Sequence, residues 1–292
     1  FRLTKQLFLL SLHIASPYLY IVLIKCPTVA MGTKVTVISL LAILSTFGLS
    51  IYVLVRTLAL FYPGYLLADR MLSFILILGE LFLFVHGAGY VMNVLKSTRR
   101  YEEVEKRYFG KSSLSKVAVF ITSFNEQPNV LEETIASASS FDYEPKEVYL
   151  LDDSTSDQLK AAAEELARCY RIRYIHRINR RGFKAGAVND ALRIVDAKYL
   201  LILDADQKAS PDFLRTAVQL LDDDPKLAFI QVPQFYSNVG HSSVARAAAY
   251  QQAVFFEYIA EGKNVSNAMF SCGTNCVFRV DSLWAIGGMD ED

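Results

Sequence analysis

The run Tyr199-Leu200-Leu201-Ile202-Leu203-Asp204-Ala205-Asp206 constrains this chain more than any other stretch. It is an apolar segment of strand length that delivers two carboxylates, spaced i and i+2, at its C-terminal end. In an open α/β sheet that end is where ligands bind. Alternation along an extended chain points Asp204 and Asp206 to the same side, and two converging oxygen donors suit a hard divalent cation, Mg2+ or Mn2+. A cation held there would pair with phosphates. The plainer alternative is that the pair only caps the next helix, and the sequence around it weighs against that.

From Val117 onward, short β-rich runs alternate with amphipathic helical stretches, the pattern of a mostly parallel sheet covered by helices. Strands are expected at 117–122, 147–151, 172–176, 199–204, 228–232 and 276–280. Helices are expected at 128–139, 156–170, from Gly182 to about 194, at 211–221 and at 243–261, the last with an aromatic face (Tyr250, Phe255, Phe256, Tyr258) read as core. Asp281 is expected to cap a short final helix. Three strands finish in polar clusters: Ser123 to Glu126, Asp152 to Ser154, and Asp204 to Asp206. In a parallel sheet these ends share one edge, so residues about 80 positions apart converge on one cleft. Lys184, near a helix N-terminus, can add a cation for phosphates; the competing reading is a solvated charge in a basic loop with Arg177, Arg180 and Arg181. Gly182 and Gly186 do not form a G-x-x-x-x-G-K loop, so no ATPase is inferred.

The first part of the chain is of another kind. Val35 to Val55 is 21 residues without a charge, and about 20 apolar residues cross a hydrocarbon core as a helix. Met71 to Leu95 is a second span despite Glu80 and His86, since an ionisable group at membrane depth faces the bundle interior or a polar pathway. Leu7 to Ile24, interrupted by His13 and Pro17, is the weakest of three. The expected organisation is therefore membrane helices in 1–95 (about 7–24, 35–55 and 71–95), a basic juxtamembrane linker at 96–116, and an α/β domain over 117–292. Lys96, Arg99, Arg100, Lys106, Arg107, Lys111 and Lys116 place that α/β domain in the cytoplasm by the positive-inside rule.

Composition agrees: the chain is 52% hydrophobic, with 30 basic and 30 acidic residues, and its mean hydropathy is +0.25. A neutral balance gives no reason to propose nucleic acid as a partner. Cys26, Cys169, Cys272 and Cys276 indicate neither a disulfide framework nor a zinc site. The start at Phe1 and the stop at Gly287-Gly288-Met289-Asp290-Glu291-Asp292 suggest an internal piece of a longer protein.

With these residues assembled, the chain resembles the processive family 2 glycosyltransferases, and the cellulose synthase group most. The matching pieces are Phe120-Ile121-Thr122-Ser123-Phe124-Asn125-Glu126, Leu151-Asp152-Asp153-Ser154, Lys184-Ala185-Gly186-Ala187-Val188-Asn189, Asp204-Ala205-Asp206-Gln207, Gln231-Val232-Pro233-Gln234 and Phe270-Ser271-Cys272-Gly273-Thr274-Asn275. The resemblance implies a GT-A fold, a Rossmann-like, mostly parallel sheet, in a cytoplasmic domain preceded by transmembrane helices. It implies a hexosyltransferase, metal-dependent and inverting, that moves glucose from UDP-glucose to a growing β-glycan at the inner or plasma membrane. Ser123, Phe124, Glu126 and Asp152, with Asp153 beside them, would hold the donor's uridine. Lys184 would lie near its phosphates, Asp204 on the nucleotide or metal side, and Asp206 on the Mg2+ or Mn2+. Cys272 and Gly273 would lie in the loop that receives the acceptor glycan, and accessory synthase subunits are expected partners beside the lipid bilayer.

Thr122 stands where the family commonly has proline. The family's Thr-Glu-Asp base motif is not matched by Asp290, Glu291 and Asp292, and its Gln-x-x-Arg-Trp segment is absent, so the chain is expected to bind nucleotide without completing a catalytic cycle. Chitin-, hyaluronan- or mannan-type synthesis and lipid glycosylation stay open within the class. From a different class, a non-catalytic nucleotide-binding sensor or transport subunit is opposed by the complete Asp152, Asp204 and Asp206 set.

Overall fold

The computed structural model describes residues 28–97 and 115–292, with side chains from residue 39 to 96 in the first stretch. The expected span at 7–24 and most of the basic linker lie outside the described residues. The chain divides into two units. One is helical and the other is α/β.

In the helical unit, α1 (Thr28–Ala59) and α2 (Leu67–Ser97) are long and apolar enough to cross a membrane. Among the described residues almost nothing covers their apolar stretches. Their polar groups meet each other: Arg56 Nε donates to Glu80 Oε2 at 3.2 Å and Tyr52 OH to Glu80 Oε1 at 3.0 Å. Glu80 thus ties the two helices together through two polar partners on α1. The stretch expected as one helix at 243–261 is α7 (Ser243–Val254), a π-helical turn (Phe255–Ala260) and α8 (Glu261–Val265). Phe256 of its aromatic set is buried and Tyr250 is exposed, so the face is core only in part. A Cβ on Gly262 would lie 2.3 Å from the Asn93 carbonyl oxygen, so α8 meets α2 backbone to backbone.

The α/β unit is a six-stranded sheet in the order β3-β2-β1-β4-β6-β5. Its strands are β1 (Val117–Ser123), β2 (Lys146–Asp152), β3 (Arg173–His176), β4 (Tyr199–Asp204), β5 (Phe229–Gln231) and β6 (Cys276–Arg279). The first four are mutually parallel and β6 runs antiparallel to both β4 and β5. Flanking them are α3 (Pro128–Ser139), α4 (Asp157–Cys169), α5 (Phe183–Leu192), α6 (Phe213–Asp223) and α9 (Val280–Ala285). Pro128 opens α3, where its missing N–H costs nothing. Ser156 caps α4 by accepting from Leu159 N. Asp281 does not cap α9: Arg279 occupies the cap and Asp281 sits in the first turn, where its carboxylate still meets the positive helix end.

Burial explains the run at β4. Tyr199 to Leu203 are all 0% exposed, as are Val117 to Ile121 of β1, because helices cover both faces. Val117, Val119 and Ile121 pack towards α3, α4 and α6, while Ala118 and Phe120 pack towards α5 and α9. Register then sets the upper edge: Ser123 pairs with Asp152 and Thr122 with Asp204. The chain builds outward from β1 to β2 and β3, then returns to β4 on the other side. That reversal opens a crevice between the C-terminal ends of β1 and β4.

Candidate active site

A cleft of about 330 Å³ fills that crevice, lined by Thr122, Ser123, Phe124, Glu126, Leu151, Asp153, Arg180, Lys184, Ala187, Asp204, Ala205 and Asp206. It gathers Ser123, Phe124, Glu126, Asp153, Lys184, Asp204 and Asp206 of the residues singled out in the sequence. Asp152, Cys272 and Gly273 do not line it.

The loop after β1 turns at Asn125, whose φ of 53° is left-handed, a region asparagine tolerates. Its Oδ1 accepts from Thr155 N at 3.0 Å and Ser156 N at 3.2 Å, and its own N–H donates to Ser154 Oγ at 2.9 Å. Asn125 therefore ties the loop after β1 to the loop after β2. The motif contained it, but its spacing carried no hint of this role. Ser123 is buried, and among the described residues its Oγ has no partner. Phe124 is 43% exposed at the mouth.

Asp152 and Asp153 are adjacent and do different things. The Asp152 side chain is 0% exposed and faces inward: Oδ1 accepts from Ser154 Oγ at 2.5 Å, and Oδ2 from Tyr174 OH at 2.8 Å. Burial, reinforced by that carboxylate, pushes the Tyr174 phenol up, so it stays a donor. Asp153 meets Arg177 as a two-point pair, Nε to Oδ1 at 2.9 Å and Nη2 to Oδ2 at 2.6 Å, with the Arg177 and Asp153 side chains 9% and 7% exposed. Arg177 also donates to the carbonyls of Arg181 and Phe183 and to Asp190. Hydrogen bonding to Asp153 raises the pKa of Arg177 against the effect of burial. The basic loop is thus wound around Arg177, and α5 begins beyond it with Gly182 at φ 66°.

Lys184, in the first turn of α5, reaches the Asp204 carboxylate in a short contact and donates to Gly273 O at 2.7 Å. It lines the cleft, paired with a carboxylate and a carbonyl. Asp204 N donates to Thr274 Oγ1 at 2.9 Å. β4 ends at Asp204, so Asp206 sits in a turn and strand alternation does not set its direction. Other contacts hold that turn: Thr134 Oγ1 donates to Ala205 O at 2.6 Å, and Gln207 Oε1 accepts from Asn275 Nδ2 at 2.9 Å. Cys272 and Gly273 lie behind Lys184, with Gln231 Oε1 accepting from Cys272 N at 2.8 Å. Burial raises the Cys272 thiol pKa.

Among the described residues no cluster of three or more His, Cys, Asp or Glu forms a protein cage for a metal. The donor set nevertheless fits a hard divalent ion of the kind that takes one or two carboxylates and completes its shell with water and substrate phosphates. Asp206 is exposed, and the neighbouring Gln207 amide donates to its Oδ1.

The family model for glycosyl transferase family 2 matches residues 118–287, more than half of the chain. The chain belongs to that family. It is 33% identical over 180 residues to a cellulose synthase catalytic subunit (UDP-forming) of Pseudomonas fluorescens, covering 59% of the chain and 24% of the relative. A UDP-forming cellulose synthase catalytic subunit of Dictyostelium discoideum is 38% identical over 112 residues, covering 36% of the chain and 10% of the relative. The chain thus spans about a quarter or less of these relatives' length. Among solved structures, the mannosyltransferase PcManGT of Pyrobaculum calidifontis, in complex with GDP-Man and Mn2+, shares the fold. Its TM-score is 0.51 at 21% identity, covering 72% of this chain and 58% of that one. The mostly parallel α/β sheet is that of the GT-A glycosyltransferases.

Proposed function

We propose that this chain is the donor-binding part of a multi-pass membrane glycosyltransferase that transfers glucose from UDP-glucose to a growing β-glycan, with inversion. The observation that carries the reading is the convergence of Ser123, Phe124, Glu126, Asp204 and Asp206 on one cleft at the β1/β4 reversal, in a chain similar to UDP-forming cellulose synthases. The apolar α1 and α2, the Arg56–Glu80 pair between them and the basic residues after them support a membrane protein with this domain in the cytoplasm.

Asp206 and Asp204 would hold Mg2+ or Mn2+. Such an ion, when bound, stabilises charge on the departing UDP. Phe124, Ser123 and Glu126 would receive the uridine. Asp152 would support it indirectly, by fixing Ser154 and through it Asn125 and the Phe124 loop. Lys184 would lie beside the diphosphate while its bond to Gly273 O keeps the Cys272 loop, the proposed acceptor side, in register with the donor. Deprotonation of the acceptor hydroxyl is assigned to no residue of this chain. Glycan acceptor and accessory subunits complete the proposed set of partners.

The test is UDP release by the full-length protein in membrane vesicles, offered UDP-glucose, UDP-N-acetylglucosamine and GDP-mannose in turn. Release is expected with UDP-glucose, with loss of at least 100-fold in Asp206→Asn. Equal release by the variant, or release only with another donor, would overturn the reading.

A further inference from the structure

Two of the cations at the cleft are already paired. Lys184 is committed to Asp204 and Gly273 O, and Arg177 to Asp153 and Asp190. Arg180 is different: it lines the same cleft, yet among the described residues it has no carboxylate within ion-pair distance. Its guanidinium carbon lies 3.5 Å from the centroid of the Phe124 ring and 5.6 Å from that of Phe183. Among the described residues its buried Nε has no hydrogen-bond partner, and neither does the buried Oγ of Ser123, which lines the same cleft. A buried donor left unmet is costly, and a cation resting on a ring face recovers only part of what an anion would supply.

Nothing can lie between groups 3.5 Å apart, so a planar base cannot stack on that face of Phe124 while Arg180 covers it. We propose that Arg180 is a diphosphate-binding residue held on Phe124 in the empty cleft, and that a nucleoside diphosphate displaces it: the base takes its place on the ring and the guanidinium turns onto the phosphates. A guanidinium suits that task because its planar donor fork matches phosphate oxygens at two points, where an ammonium offers a point charge. Arg180 would thereby make base stacking and phosphate recognition a single event. This inference rests on the donor-site reading above.

The test compares Arg180→Gln and Arg180→Lys with the unaltered chain, by titration calorimetry with UDP and with uridine in saturating Mg2+. Arg180→Gln is expected to weaken UDP at least 10-fold while leaving uridine unchanged or tighter, because the ring face is then free. Arg180→Lys is expected to fall between. Unchanged UDP affinity in Arg180→Gln, or equal weakening of UDP and uridine, would overturn the proposal and leave the donor site standing. No UDP binding by the unaltered chain would overturn both. Thermal unfolding followed by Trp284 fluorescence separates a binding defect from a folding one, and a variant that unfolds early is replaced in the comparison by Arg180→Lys.

Discussion

Arg177→Gln strands the Asp153 carboxylate in a pocket where that side chain is 7% exposed. Three further contacts go with it, to the carbonyls of Arg181 and Phe183 and to Asp190. Removing one partner of a buried ion pair typically costs about 3–5 kcal/mol, because the remaining charge is left without compensation. For a domain of this size that corresponds to a fall in Tm on the order of 10 °C. Trp284 is the single tryptophan of this chain and lies in α9, so its fluorescence on heating follows the α/β unit without interference from the helical unit. One control sharpens the result. Arg177→Met combined with Asp153→Leu should be markedly more stable than Arg177→Gln, because no unpaired charge remains. A Tm within about 2 °C of the unaltered chain, or a double variant as unstable as the single one, would refute the account of this pair.

Gly186→Ala should destabilise by about 1–3 kcal/mol and weaken UDP binding. Helix propensity alone gives the opposite sign, but the new Cβ would lie 2.0 Å from the Arg181 carbonyl oxygen, so the loop bearing Arg180 and Arg181 must move; an equal or higher Tm would refute this. For Cys276, burial pushes the thiol up to about 12, while an unfolded cysteine titrates at about 8.5. A raised folded pKa gives stability that is complete below the unfolded value and lost as pH rises between the two, so unfolding at fixed urea should become easier above about pH 8.5. Cys276→Ala should remove that part of the slope. Alkylation of the native chain at about pH 8 should label exposed Cys169 and spare Cys276, as peptide mass mapping would show.

The central strands were legible in the sequence because β1 and β4 are covered on both faces, so their apolar runs are nearly continuous and end where polarity returns. The cleft was legible for a related reason: polar residues at three strand ends have nowhere to converge but the shared edge. Backbone-held roles were not legible. Asn125, Gln231 and Arg177 act through carbonyls and N–H groups brought close by the fold, and no spacing rule encodes those partners. Asp152 shows the limit most clearly. It sits in the same motif as Asp153, yet it is one residue further back on β2 and turns inward to Ser154 and Tyr174. Only the point at which β2 ends decides which of the two faces the cleft. The same holds for Asp206, where the turn after Asp204 ends the alternation that strand geometry supplies.

Helix α5 explains why the basic loop, unreadable by composition, matters. Lys184 fixes its first turn to Asp204 and to Gly273 O, on β4 and on the loop before β6. Further along the same turn, Gly186 allows the Arg181 carbonyl to lie against the helix, which sets where Arg177 and Arg180 emerge. Asn189 then grips the segment after α9, accepting from Met289 N at 2.8 Å and donating to Met289 O at 2.8 Å and to Glu291 Oε1 at 2.7 Å. A Cβ on Gly288 would lie 2.6 Å from Asn189 Oδ1, so that grip needs a glycine there. The motif Lys184-Ala185-Gly186-Ala187-Val188-Asn189 is therefore a spacing of contacts along one helix. Lys184 serves the cleft and Gly186 the loop that supplies its second cation. Asn189 serves the Gly287-Gly288 segment, while Val188 and Ala191 hold the helix to the sheet.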